Sequence, residues 1–124
     1  MMINKEDANI LIVDDIEDNR YTLERRLKRD GYTNIFTAEG GKTALEMAAD
    51  NKFDLILLDL MMPDMSGLEV LKHLKGDPMQ RSIPVIMVTA SDEVETAAEC
   101  IINGADDFIT KPFNGTLLKA RVGA

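Results

Sequence analysis

The chain has 124 residues and a formal net charge of −8 at pH 7; 45% of its residues are hydrophobic and 29% charged, a balance that excludes a disordered or fibrous chain. That length supports one domain with its own core, without disulfide or metal staples. The acidity argues against a sequence-independent grip on nucleic acid, which needs Lys and Arg facing the phosphates, and no apolar run approaches the roughly 18 residues of a membrane span.

The opening stretch MMINKEDANI mixes charged and polar residues and lacks the apolar centre of a secretory signal. With the lone Cys100, it predicts a reducing, cytoplasmic setting. Ile10 to Val13 is a short Ile/Leu/Val run of the kind buried on both faces in a parallel sheet, and Asp14 and Asp15 follow it. Leu23 and Leu27 have helical spacing, with Gly31 placed to end that helix. Ile35 to Ala38 is a weaker strand, expected nearer a sheet edge. Ala44, Leu45 and Ala48 mark a second helix. Leu55 to Leu58 repeats the buried-strand pattern and ends in Asp59.

Ser66 and Glu69 have the reciprocal capping spacing and open a third helix through Val70, Leu71 and Leu74, with Gly76 as its stop. Val85 to Val88 is the next buried strand, closed by Thr89. Asp92 and Glu95 repeat the capping spacing before a fourth helix through Ala97, Cys100 and Ile101, which Gly104 terminates. Asp107 to Thr110 is the second edge candidate, followed by Lys111. The alternation gives five β/α pairs: an α/β, doubly wound parallel sheet with helices on both faces.

In such a sheet the functional crevice lies at the carboxyl ends of the strands. Asp14, Asp15, Asp59, Thr89 and Lys111 all stand there. Three crowded carboxylates repel one another unless a cation neutralises them, and hard oxygens in that arrangement suit Mg²⁺, which keeps waters that a phosphoryl oxygen can replace. Taken singly, an acidic pair is ordinarily a solvated loop or a cap, Thr89 is strand packing and Lys111 a solvated charge. Their shared placement raises them to a site. His73 and Cys100 have no ligand cluster or base beside them and are structural; Met61, Met62 and Met65 are loop and core filler by default.

The segments ILIVDD, LILLDLMMPDMSG, PVIMVTA and GADDFITKPF resemble, in order and spacing, the receiver signature of bacterial response regulators, with thirty residues from Asp59 to Thr89 and twenty-two from Thr89 to Lys111. The resemblance spans essentially the whole chain. It implies a flavodoxin-like (βα)5 sheet of order 2-1-3-4-5 and a single receiver domain over residues 1–124. It makes Asp59 the acceptor of a phosphoryl group from a sensor histidine kinase, a histidine phosphotransfer protein or a small acyl phosphate. Asp14, Asp15 and Asp59, with the backbone carbonyl of Met61, would hold Mg²⁺, and Lys111 would pair with phosphoryl oxygens. Thr89 and Phe108 would be the switch pair, and Lys111–Pro112 resembles the family's cis peptide. The output surface would be the fourth helix, fifth strand and fifth helix.

Met61 and Ser91 occupy two positions that vary among receivers and tune phosphoryl lifetime. Neither is charged, and an apolar Met61 cannot orient an attacking water by hydrogen bonding, which implies slow loss of the group. Asp106, Asp107 and Arg121 match receivers that dimerise through the output face, although Leu117 stands where those receivers usually carry an acid. The early end of the fifth helix suggests the N-terminal part of a longer protein whose output domain follows. Two rivals fit less well. A phosphatase of the haloacid dehalogenase type would want a second acid where Met61 stands, and a flavin-binding module would want a Ser/Thr-rich loop in place of Asp14 and Asp15.

Overall fold

The computed structural model describes residues 4–112 and 114–123, and only the backbone of Ser91 and Val94. Five strands, β1 (Asn9–Val13), β2 (Asn34–Ala38), β3 (Leu55–Asp59), β4 (Val85–Ala90) and β5 (Asp107–Lys111), alternate with helices α1 (Glu17–Arg29), α2 (Gly41–Asp50), α3 (Gly67–Gly76), α4 (Val94–Ile102) and α5 (Gly115–Val122). The strands form one sheet in the order β2-β1-β3-β4-β5, and every neighbouring pair is parallel. The expected order and both expected edge strands are therefore found.

The period-two alternation of a strand assigns the helices to their faces. Leu11, Val13, Ile56, Leu58, Val85 and Met87 point to one side, where they pack with Ala44 and Ala48 of α2, Val70, Leu71 and Leu74 of α3, and Cys100 of α4. Ile10, Ile12, Leu57, Ile86 and Val88 point to the other, against Leu23 and Leu27 of α1 and Leu118 of α5. All five residues of β3 are buried. A strand covered on both faces can keep a carboxylate at its tip only if other groups there compensate the charge.

Helix ends explain where the loops turn. Gly31 and Gly104 follow α1 and α4 in the left-handed region, at φ 105° and 112°, where a side chain would be strained. Gly76 differs from expectation: it is the last residue of α3, and the chain leaves through Asp77 in an extended conformation. Ser66 caps α3 as expected, accepting the Glu69 N–H at 3.2 Å. The Asp92/Glu95 cap does not form. A single 3-10 turn, Ser91–Glu93, precedes α4, Glu93 is the N-cap residue without a side-chain bond, and its carboxylate instead accepts the Ala90 N–H at 3.2 Å. At α5, Asn114 accepts the N–H groups of Thr116 and Leu117, at 2.8 and 3.3 Å.

Candidate functional site

The parallel register brings the strand tips to one edge. Val13 lies beside Leu58, Asp59 beside Val88, and Ala90 beside Lys111. Asp14 follows β1 directly and is 1% exposed, while Asp59, closing β3, is 4% exposed; two acids this buried need local compensation. Lys111 supplies part of it. Its Nζ reaches across from the end of β5 to stand 3.1 Å from Asp59 Oδ1 and 3.2 Å from Asp14 Oδ2.

The first loop is built to hold Asp14. Its Oδ1 accepts the Ile16 N–H at 2.9 Å and the Asn19 amide at 3.4 Å, and Arg20 donates to its backbone carbonyl at 2.8 Å. Oδ2 is buried without a well-directed hydrogen bond; the nearby Lys111 ammonium meets it as a charge. Burial first, and the charge of Asp14 second, push the Asp59 carboxyl up to about 6, against the pull of Lys111. Burial pulls the Lys111 ammonium down, but the hydrogen bond and charge of Asp59, with the charge of Asp14, reverse this and leave its pKa above the ordinary value.

One oxygen from each of Asp14, Asp15 and Asp59 lies within 4.8 Å of the others. With the under-bonded Oδ2 of Asp14, this is a set of hard oxygen donors that fits a divalent cation and leaves coordination places for water. The structure thus brings together four of the predicted residues, Asp14, Asp15, Asp59 and Lys111. Met61 lies in the loop after β3 and is 61% exposed, so of the two default readings it is loop rather than core filler. Thr89 is fully buried, and its hydroxyl donates to the Ala90 carbonyl at 3.1 Å. Phe108 is partly buried against the core on the α2–α3–α4 side. The Lys111–Pro112 peptide is cis. The side chain of Ser91 lies outside the described residues.

Of the candidate interface charges, Asp106 accepts the Val85 N–H at 2.8 Å, so its carboxylate is engaged within its own chain. Asp107 and Arg121 pair with each other at 3.1 Å. Sequence reasoning missed Asn19 and Arg20, whose positions five and six residues after Asp14 place them in the first turn of α1, facing back toward the loop. It also missed Asp64, whose carboxylate accepts the N–H groups of Gly41 and Lys42 at 3.2 and 3.1 Å.

The family described as "Response regulator receiver domain" matches residues 10–123. Response regulator PleD of Caulobacter vibrioides is 48% identical over 115 residues, covering 93% of this chain and 25% of PleD. The alkaline phosphatase synthesis transcriptional regulatory protein PhoP of Bacillus subtilis is 42% identical over 115 residues, covering 93% of this chain and 47% of PhoP. Among solved structures, the Vibrio cholerae chemotaxis protein CheY4 superposes with a TM-score of 0.85 at 32% identity, covering 93% of this chain and 95% of that one.

A five-stranded 2-1-3-4-5 sheet with this acidic edge, matched by such relatives, defines the class: the chain belongs to the response-regulator receiver family, the phosphoacceptor switches of two-component signalling. It spans about a quarter of PleD and about half of PhoP. No described helix is long and apolar enough to cross a membrane.

Proposed function

We propose that Asp59 is the phosphoacceptor of this receiver and that a Mg²⁺ ion held by Asp14, Asp15, Asp59 and the Met61 carbonyl is required for its phosphorylation. The observation that carries this reading is the convergence of three carboxylates and one lysine at the tips of β1, β3 and β5. The bound cation supplies charge neutralisation for the incoming phosphoryl oxygens.

A carboxylate oxygen of Asp59 forms the new O–P bond while the donor's N–P or acyl O–P bond breaks. The electron pair leaves with the imidazole of a phosphohistidine or with a carboxylate. Lys111, already within hydrogen-bond distance of Asp59, exchanges that contact for a phosphoryl oxygen. Thr89 turns its hydroxyl from Ala90 toward the phosphoryl group, and the ring of Phe108 moves into the space it leaves.

The donor is a sensor histidine kinase or a histidine phosphotransfer protein, in the cytoplasm. The α4-β5-α5 face carries the signal to an output domain C-terminal to a single receiver spanning residues 1–124, or to a second copy of the receiver. The domain itself touches neither nucleic acid nor membrane, a reading its net charge of −8 supports.

The test is incubation with acetyl phosphate, with and without Mg²⁺, followed by intact mass of wild type and Asp59→Asn. One added phosphoryl group is expected, only in wild type and only with the metal; equal labelling of both proteins would sink the assignment. Met61 has no group to orient an attacking water, so the added mass should persist for minutes at neutral pH. Loss within seconds would contradict that part.

A further inference from the structure

Helix α2 begins without a cap of its own. Gly40 is its N-cap residue and offers no side chain, and the first turn holds no acid, so the first N–H groups need an acceptor from elsewhere. Asp64 supplies it from the β3–α3 loop, one carboxylate oxygen for Gly41 and the other for Lys42. A Cβ at Gly40 would stand 2.9 Å from both of those oxygens, and one at Gly41 would meet Met65 Cβ at 2.9 Å and Val70 Cγ2 at 2.7 Å. Two glycines therefore clear the space in which the loop docks on the helix. The bond pair also holds the Asp64 carboxyl below its ordinary value.

The other end of the loop is fixed at Asp59 itself. Gly67 N–H donates to the Leu60 carbonyl at 2.7 Å, and a Cβ on Gly67 would collide with the Asp59 carbonyl. The segment from Met61 to Pro63 is thus strung between two anchors, one at the acceptor and one at α2. We infer that Asp64 is a positioning residue for phosphoryl acceptance: by clamping the loop to α2, it holds the Met61 carbonyl in place beside Asp59. This rests on the phosphoacceptor reading above.

Capping and positioning can be separated. Asp64→Ala removes both; Gly40→Asn added to it restores a local cap but not the clamp, and the lost carboxylate leaves room for the new side chain. Thermal midpoints, Mg²⁺ titrations followed by backbone amide NMR, and the metal-free amide shifts of residues 60–62 should be recorded for wild type and both variants. We expect the double variant to regain the wild-type midpoint, yet to bind Mg²⁺ about tenfold more weakly, as does loss of a support to a metal ligand, with its loop shifts displaced like those of Asp64→Ala. Recovery of Mg²⁺ affinity and loop shifts along with the midpoint would reduce Asp64 to a helix cap and overturn the proposal, as would unchanged affinity in Asp64→Ala. If wild type itself bound no Mg²⁺, the phosphoacceptor reading would fall, and the metal-free loop shifts would still decide whether Asp64 positions the loop.

Discussion

Asp59 concentrates the tension of this site in one carboxyl group. Its ordinary value of 3.8 is raised to about 6 in the fold, so between those values the folded protein binds more protons than the unfolded chain. Stability contributed by this group therefore falls as pH rises from about 4 to about 6, and above that the charged form costs on the order of 3 kcal/mol. Asp59→Asn removes the cost. In metal-free buffer at pH 7 the variant should melt several degrees above wild type, and the gap should close as pH falls toward 4; a gap that is absent at pH 7 or widens on acidification would show that Asp59 is not held charged against its surroundings. The acid at the end of an apolar run was visible in the sequence. Asn19 and Arg20, which support Asp14, were not, because Asp14 sits in a loop whose fold no periodicity describes.

At the scale of elements, local signals succeeded where the partner lies within one turn. Ser66 and Glu69 meet because three residues of helix bring them together, and Ser66→Ala should lower stability by about 1 kcal/mol. Asp92→Ala should change it by less than about 0.5 kcal/mol, since Asp92 has the same spacing but the 3-10 turn moves the N-cap to Glu93. Chemical denaturation of the two variants measures both, and an equal loss from each would mean that Asp92 caps α4 after all. The spacing alone could not reveal that Glu93, one residue on, would take the Ala90 N–H instead. Asp64 escaped for a related reason: its partners are 22 and 23 residues distant, and the uncapped start of α2 at Gly40 was the only local trace of the clamp.

For the whole molecule, strict β/α alternation already implied a parallel sheet covered on both faces, and family resemblance supplied the order of its strands. What neither could show is which charges are already paired. Asp106, Asp107 and Arg121 match, in the sequence, the charges by which some receivers pair between copies, whereas the fold uses the first on Val85 and joins the other two to each other. In a dimer through the α4-β5-α5 face, charges crossing the interface would compete with the existing Asp107–Arg121 pair. X-ray scattering should show a monomer before phosphorylation and a dimer after it; a monomer in both states would remove this route for the signal.

Borohydride reduction of the phosphorylated protein, followed by peptide sequencing, bears most directly on the chemistry. It converts an aspartyl phosphate to homoserine and so marks the residue that carried the acyl phosphate. Homoserine at position 59, dependent on Mg²⁺ during labelling, is the predicted result; homoserine at position 14 or 15, or none in a protein that has gained the phosphoryl mass, would contradict it.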